Sequence, residues 1–306
     1  MRSRRSSRRG NRLERLNHVP RRHLGIRADS CGFPRERGLL AGIRTVPDRL
    51  DPDGRRRHDL AVVNDSPPSG RSQVVTAAQV ELWTACATAE LAATWRSAWP
   101  PAELETLAGQ RMIERQRRIV QLALRRTVLA ARLGSRTHKV EIARTDRGAI
   151  ALPTGELILS ASHHDDMTVF AVARGATAIG IDIEPHAEDD WQDAVEDVLA
   201  ASELAALQAV PPDDREAMYF TCWTMKEAVM KALGEGLSDR DPKTVEIALP
   251  PMPIALLHLD GIQPSEPWAL RAFGSDAHIT SVAVRGASAM QVHRYDWPVD
   301  LPPVAK

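Results

Sequence analysis

Cysteine is scarce in this chain of 306 residues: Cys31, Cys86 and Cys222 stand far apart. They form no C-x-x-C pair and no Cys/His pattern, so the spacing supports neither a disulfide framework nor a zinc site, and a reduced cytoplasmic setting is expected. No stretch approaches the roughly 20 uninterrupted apolar residues of a membrane span. The segment from Ile247 to Leu259 is short and interrupted by Pro250, Pro251 and Pro253. Met1-Arg-Ser-Arg-Arg has no apolar segment behind it, so it does not read as a secretory signal. Net charge is also absent, but only as a sum. Residues 1–71 hold 18 arginines, no lysine and 8 acidic residues, a charge of +10, whereas the remainder carries −10. Aromatics are 4% of the chain, and residues 1–71 offer stacking only through Phe33 and histidine. Nucleic acid could therefore be held there by charge alone, weakly, salt-sensitively and without a recognition motif. Together these absences predict a soluble, cytoplasmic protein with no membrane partner.

What is present divides the chain. Residues 1–71 are dense in Arg, Pro, Gly and Ser and have no sustained period, so disorder is expected of them. From Ala77 to Trp95 the apolar positions predict helical or mixed faces, and Leu104 to Leu133 reads as one long arginine-rich helix stopped by Gly134. Strand patterns follow at Lys139–Ala143, Leu157–Ser160, Thr168–Ala173 and Ala178–Glu184. Helical ones return at Trp191–Leu199, Ser202–Ala209 and Glu216–Leu233, the last closed by Gly234 and Gly236. The Pro-rich stretch Pro250–Pro253 and the pieces Trp268–Phe273, Ile279–Arg285 and Met290–Tyr295 predict antiparallel strands. Helix then strands, twice over, predicts an α+β fold of two halves, residues 72–176 and 177–306.

Two clusters carry chemistry. In Gly180-Ile-Asp182-Ile-Glu184 the side chains alternate faces, so Asp182 and Glu184 point the same way. Two carboxylates on one face repel unless a cation lies between them, and hard oxygen ligands favour Mg²⁺ or Ca²⁺ over zinc. A solvated strand face gives the same alternation. In Trp223-Thr-Met-Lys226-Glu227-Ala-Val-Met-Lys231-Ala-Leu-Gly234-Glu-Gly236-Leu237, helical spacing puts Trp223, Glu227 and Lys231 on one face with Lys226 beside them. A surface helix with a Glu-to-Lys pair would also show it.

The order, sequence and separation of these clusters resemble the 4′-phosphopantetheinyl transferases, specifically the surfactin-synthetase-activating type with two pseudo-repeated halves in one chain. That family carries G-x-D-x-E followed some 40 residues later by W-x-x-K-E-A-x-x-K-x-x-G-x-G-L, and both stand complete here. The resemblance runs from about Val75 to about Trp297. It implies two halves, each an antiparallel sheet packed with helices, with coenzyme A and Mg²⁺ in the cleft between them. It implies transfer of phosphopantetheine from coenzyme A to a serine of an acyl or peptidyl carrier protein, releasing adenosine 3′,5′-bisphosphate, an activity of secondary-metabolite pathways among others. Asp182, Glu184 and Glu227 match the metal ligands, Lys231 and Lys226 match the phosphate-binding lysines, and Glu227 is the favoured base, with Glu184 or a metal-bound water as alternatives. Ser162-His163 matches the family's S-H element at the coenzyme phosphates. Arg126, and less closely Arg118, match arginines at the nucleotide 3′-phosphate. Gly148-Ala149-Ile150 departs from the family's Gly-Lys-Pro, with Arg147 a substitute for the missing lysine. A metal-dependent phosphodiester hydrolase using the same three carboxylates is the rival enzyme class.

Overall fold

The apolar alternation from Ala77 onward has period two: Ala78, Val80 and Leu82 are buried while Ala77 and Gln79 are exposed. This is a strand, β3 (Ala77–Cys86), where helical or mixed faces were expected. In the computed structural model the described residues are 49–50, 56–57, 77–96, 101–145, 148–153, 155, 157–186, 191–275 and 277–300. Before β3 stand only β1 (Arg49–Leu50) and β2 (Arg56–Arg57), an antiparallel pair. The rest of the segment expected to be disordered lies outside the described residues.

The predicted long helix is two. α1 (Ala89–Arg96) follows β3, then come the short α2 (Pro101–Glu105) and, after a turn containing Gly109, α3 (Met112–Leu133). Gly134, at φ 59°, caps α3 in the left-handed conformation that glycine adopts without strain. β4 (Ala143–Arg144) pairs with β5 (Ile150–Ala151). β6 (Ile158–His164) and β7 (Met167–Arg174) form a hairpin, and β8 (Ala178–Pro185) follows. Then come α4 (Val195–Val198), α5 (Ala201–Ala209), α6 (Pro212–Leu233), the hairpin β9 (Val245–Ala248) with β10 (Ala255–Leu259), and β11 (Trp268–Gly274), β12 (His278–Arg285) and β13 (Ala289–Asp296).

The first sheet has the order β13-β3-β7-β6 and the second β11-β12-β8. The mixed α+β class is as expected, with two departures. β13 pairs parallel to β3, Ala289 opposite Ala77 through Asp296 opposite Thr84, so the first sheet is not purely antiparallel. By the same pairing the last strand belongs to the sheet of the first half, so a division at 176/177 does not separate the sheets. Cys86 is disulfide-bonded, which the cysteine spacing did not predict, and Cys222 is a buried free thiol.

Among the described residues three apolar clusters hold the elements together. α3 packs Val120, Leu124 and Val128 against Trp83 and Phe170 of the first sheet. α6 packs Met225, Ala228 and Val229 with Ile279 and Ala283 of the second. The third draws on both sheets: Val80 and Leu82 of β3, Val169 and Ala171 of β7, Ile179, Ile181 and Ile183 of β8, and Val282 and Val284 of β12. Strands buried on both faces read as near-continuous apolar runs, as β7 does. No described helix is long and apolar enough to cross a membrane.

Candidate active site

β8 sends its isoleucines into the shared cluster and therefore turns Gly180, Asp182 and Glu184 the other way, towards α6. The helix lies very close. A Cβ placed on Gly180 would stand 1.8 Å from the Ala228 carbonyl oxygen and 2.7 Å from the Ala232 nitrogen, so only glycine fits here. Ala228 and Ala232, one turn apart, are the small residues that permit this approach, and the helix face between them and the cleft carries Glu227 and Lys231. Gly234, at φ 71°, ends α6 just beyond Lys231. The lysine thus occupies the last turn, where the helix dipole favours a cation.

The clusters meet. The Lys231 Nζ donates to Asp182 Oδ1 at 2.5 Å and to Ser162 Oγ at 3.0 Å, and lies 4.0 Å from Glu227 Oε2. The Ser162 hydroxyl donates to Asp182 Oδ1 at 2.8 Å. Asp182 is 3% exposed. Its Oδ2 and the Glu227 Oε1 are buried with no hydrogen-bond partner, an expensive state for a carboxylate oxygen. Burial, and after it the nearby Asp182 carboxylate, pushes the Glu227 carboxyl up to about 7 against the pull of Lys231. Burial draws the Lys231 ammonium down, but Asp182, Glu227 and Glu184 outweigh it and hold the lysine above its ordinary value.

β6 reaches the same place from the first sheet. Its alternate residues Ser160, Ser162 and His164 face β8: the Ile181 N–H donates to Ser160 Oγ at 3.1 Å, Ser162 meets Asp182, and His164 Nδ1 lies 2.8 Å from Glu184 Oε2. The two sheets are stitched here by side chains rather than by a backbone ladder. His163, the histidine matched to the family's S-H element, is exposed and falls on the strand face opposite to Ser162. His164 is the one that meets the acidic strand.

Lys226 is the clearest correction. Although adjacent to Glu227, it is fully buried on the other side of α6, 2.7 Å from Glu203 Oε2, and donates to the carbonyls of Pro242 at 2.9 Å and Val245 at 2.5 Å. Glu203 in turn accepts from the N–H groups of Ala200 and Ile247. Neighbours on a helix are turned about 100° apart, so Lys226 binds α6 to α5 and β9 instead of facing the cleft. Asp241 caps the loop that follows, its Oδ1 accepting from the Lys243 N–H at 3.0 Å.

On α3, Arg126 is ion-paired with Glu103 at 2.6 Å. The neighbouring Arg125, which sequence reasoning missed, is 5% exposed, and its Nε has no hydrogen-bond partner. Burial, then Arg118 and Arg144, pulls its guanidinium down to about 10. Burial and Arg144 likewise lower Arg118. Guanidinium groups that depress one another make a local excess of positive charge suited to an anion. The signal in the sequence was the density of arginines from Arg111 to Arg126. Arg147 lies outside the described residues.

A half-buried ammonium, a buried hydroxyl, the buried Asp182 carboxylate and the partly buried Glu227 carboxylate at one point can bind phosphate oxygens, move a proton and accept a hard cation. Among the described residues no three carboxylate, imidazole or thiol groups yet stand as a cluster able to hold a metal ion. The Lys231 ammonium lies against Asp182 instead.

Residues 178–283 match the family model of the 4′-phosphopantetheinyl transferase superfamily. A 4′-phosphopantetheinyl transferase, HetI, of Nostoc sp. is 28% identical over 53% of this chain and 67% of its own length. A phosphopantetheinyl transferase of Thraustochytrium sp. is 25% identical over 58% of this chain and 66% of its own. The chain thus spans about two thirds of the length of both relatives. A solved structure of a holo-(acyl-carrier-protein) synthase from Bacillus anthracis, in complex with CoA, covers 36% of this chain and 96% of its own at 19% identity and a TM-score of 0.32. The matched residues include the strand and the helix that carry Asp182, Glu184, Glu227 and Lys231, so this part of the chain is similar to the 4′-phosphopantetheinyl transferase superfamily.

Proposed function

We propose that the chain transfers the 4′-phosphopantetheine of coenzyme A to a serine hydroxyl of an acyl or peptidyl carrier protein, with Mg²⁺ as cofactor and adenosine 3′,5′-bisphosphate released. The observation that carries this reading is the convergence of Ser162, Asp182, Glu227 and Lys231 from β6, β8 and α6. Attack of the serine oxygen on the phosphorus forms one P–O bond and breaks the one to the leaving nucleotide, and negative charge gathers on the oxygens. Lys231, kept protonated by the carboxylates around it, supplies a fixed positive charge for those oxygens. The Ser162 hydroxyl adds a hydrogen-bond donor. Glu227, whose carboxylate lies 4.0 Å from the Lys231 ammonium, is suited by position to take the serine proton. The arginines around Arg125 offer a second anion site, for the 3′-phosphate.

The residues fit Mg²⁺ in kind. The buried, unpartnered oxygens of Asp182 and Glu227 are hard donors, and together with Glu184 they would hold the ion. Its contribution there is charge stabilisation at the pyrophosphate. The cytoplasmic location and the monomeric state are part of the same proposal.

The test is incubation with coenzyme A, Mg²⁺ and a panel of apo carrier proteins, read by mass spectrometry of the carrier. Addition of phosphopantetheine is expected, with loss on the order of a hundredfold or more in Lys231→Met and Glu227→Gln. Breakdown of coenzyme A without an acceptor would show a hydrolase instead. Parent rates in both variants would show that α6 is an ordinary surface helix.

A further inference from the structure

One side chain in the cleft has no part in the reading above. His164 sits on β6 between Ser162 and the turn to β7, and its Nδ1 lies 2.8 Å from Glu184 Oε2. The side chain is 18% exposed and that of Glu184 is 24% exposed, so the pair is only partly screened by water. The other ring nitrogen is 3.8 Å from Asp165 Oδ2, beyond hydrogen-bond distance. Glu184 lies next to Pro185, the last residue of β8.

We propose that His164 is a positioning residue: its Nδ1–H donates to Glu184 Oε2 and fixes the carboxylate so that Oε1 is presented beside Asp182 and Glu227. The contact comes from the other sheet, so Glu184 is oriented by the first half although it is carried by the second. The benefit is a ligand already ordered before the cation arrives. Outer-shell hydrogen bonds of this kind change metal affinity by about 10- to 100-fold when removed. The proposal rests on the reading of Asp182, Glu184 and Glu227 as Mg²⁺ ligands.

The experiment measures Mn²⁺ and Mg²⁺ binding to the full chain by calorimetry, for wild type, His164→Ala and His164→Asn, with thermal melting of each. The asparagine amide places an N–H near the position of Nδ1 and keeps the donor without the ring. His164→Ala is expected to bind the ions about 10- to 100-fold more weakly, His164→Asn to recover most of the loss, and all three to melt alike. In turnover, His164→Ala should need more Mg²⁺ for half-maximal rate and regain the parent rate at saturation. If wild type binds the cation and His164→Ala binds it equally tightly, the positioning role is wrong and the metal reading stands. If wild type binds no divalent cation, the metal reading falls and this role with it. A low melting temperature in His164→Ala that His164→Asn shares, with no recovery of binding, would make His164 a structural residue and overturn the proposal.

Discussion

Glu227 and His278 tilt the pH dependence of stability in opposite directions over nearly the same range. The Glu227 carboxyl titrates at about 7 in the folded protein and at 4.5 unfolded. Between those values the folded state holds a proton that the unfolded state has lost, so raising the pH from 4.5 to 7 destabilises the fold. His278, beside Pro185 at the edge of the site, is pulled down to about 4 by burial and by His164 and His186. The unfolded chain takes up that proton at 6.5, so stability falls as the pH drops from 6.5 towards 4. Glu227→Gln should therefore be more stable than wild type at pH 8, by an amount on the order of 3 kcal/mol, and no more stable at pH 4. His278→Gln should flatten the acid limb of the same curve. Melting temperatures across pH test both. Lys226 makes a different prediction. Lys226→Met leaves Glu203 buried without its cation, which typically costs about 3–5 kcal/mol, so denaturant unfolding should shift strongly while the folded fraction keeps its affinity for coenzyme A. At this scale the sequence was legible for Asp182, Glu184, Glu227 and Lys231, because alternation and helical spacing fix which side chains share a face. It was misleading for Lys226 and silent on Arg125, because motif position says nothing of the direction in which a neighbour one step along the helix points.

Elements place those residues, and their approach is set by one hydrogen atom. At Gly180 the missing side chain lets α6 lie on β8, and the distance between Lys231 and Asp182 depends on it. The atoms a methyl group would strike belong to backbone, which cannot swing aside. Gly180→Ala should push the helix outward and lower both melting temperature and turnover, with turnover suffering more, since Asp182 and Lys231 would part before the core opens. Shortening a facing side chain is no remedy, because the atoms that a Cβ on Gly180 would strike are backbone atoms of Ala228 and Ala232. Melting temperature and the rate of carrier modification together give the check. Elements with strong local signals were read within a few residues, among them β7, β8, α5 and α6. β3 was not, since Ala77 to Trp83 mixes small, polar and apolar side chains and only its pairing with β7 and β13 resolves the period. β9 and β10 were missed because prolines between them hid two short runs.

For the whole molecule, the halves are joined twice: by the stitch from β6 to β8 at the site, and by β13 beside β3. The family match ends at residue 283 and so leaves β13 out. A chain stopped after Arg285 keeps every catalytic candidate but loses the cover of β3, and we expect it to aggregate rather than to be merely less active, as size-exclusion chromatography of the truncated protein would show. The parallel pairing of β13 with β3 could not be read from the sequence, because pairing between strands so far apart leaves no local pattern. The same pairing sets a timetable for synthesis. As the ribosome extends the chain, β3 emerges early and can hydrogen-bond with β7, but its other edge stays open until Asp296 has left the exit tunnel. For most of translation the nascent protein therefore displays an unpaired strand to its neighbours on the polysome, until β13 arrives to close the open edge of β3.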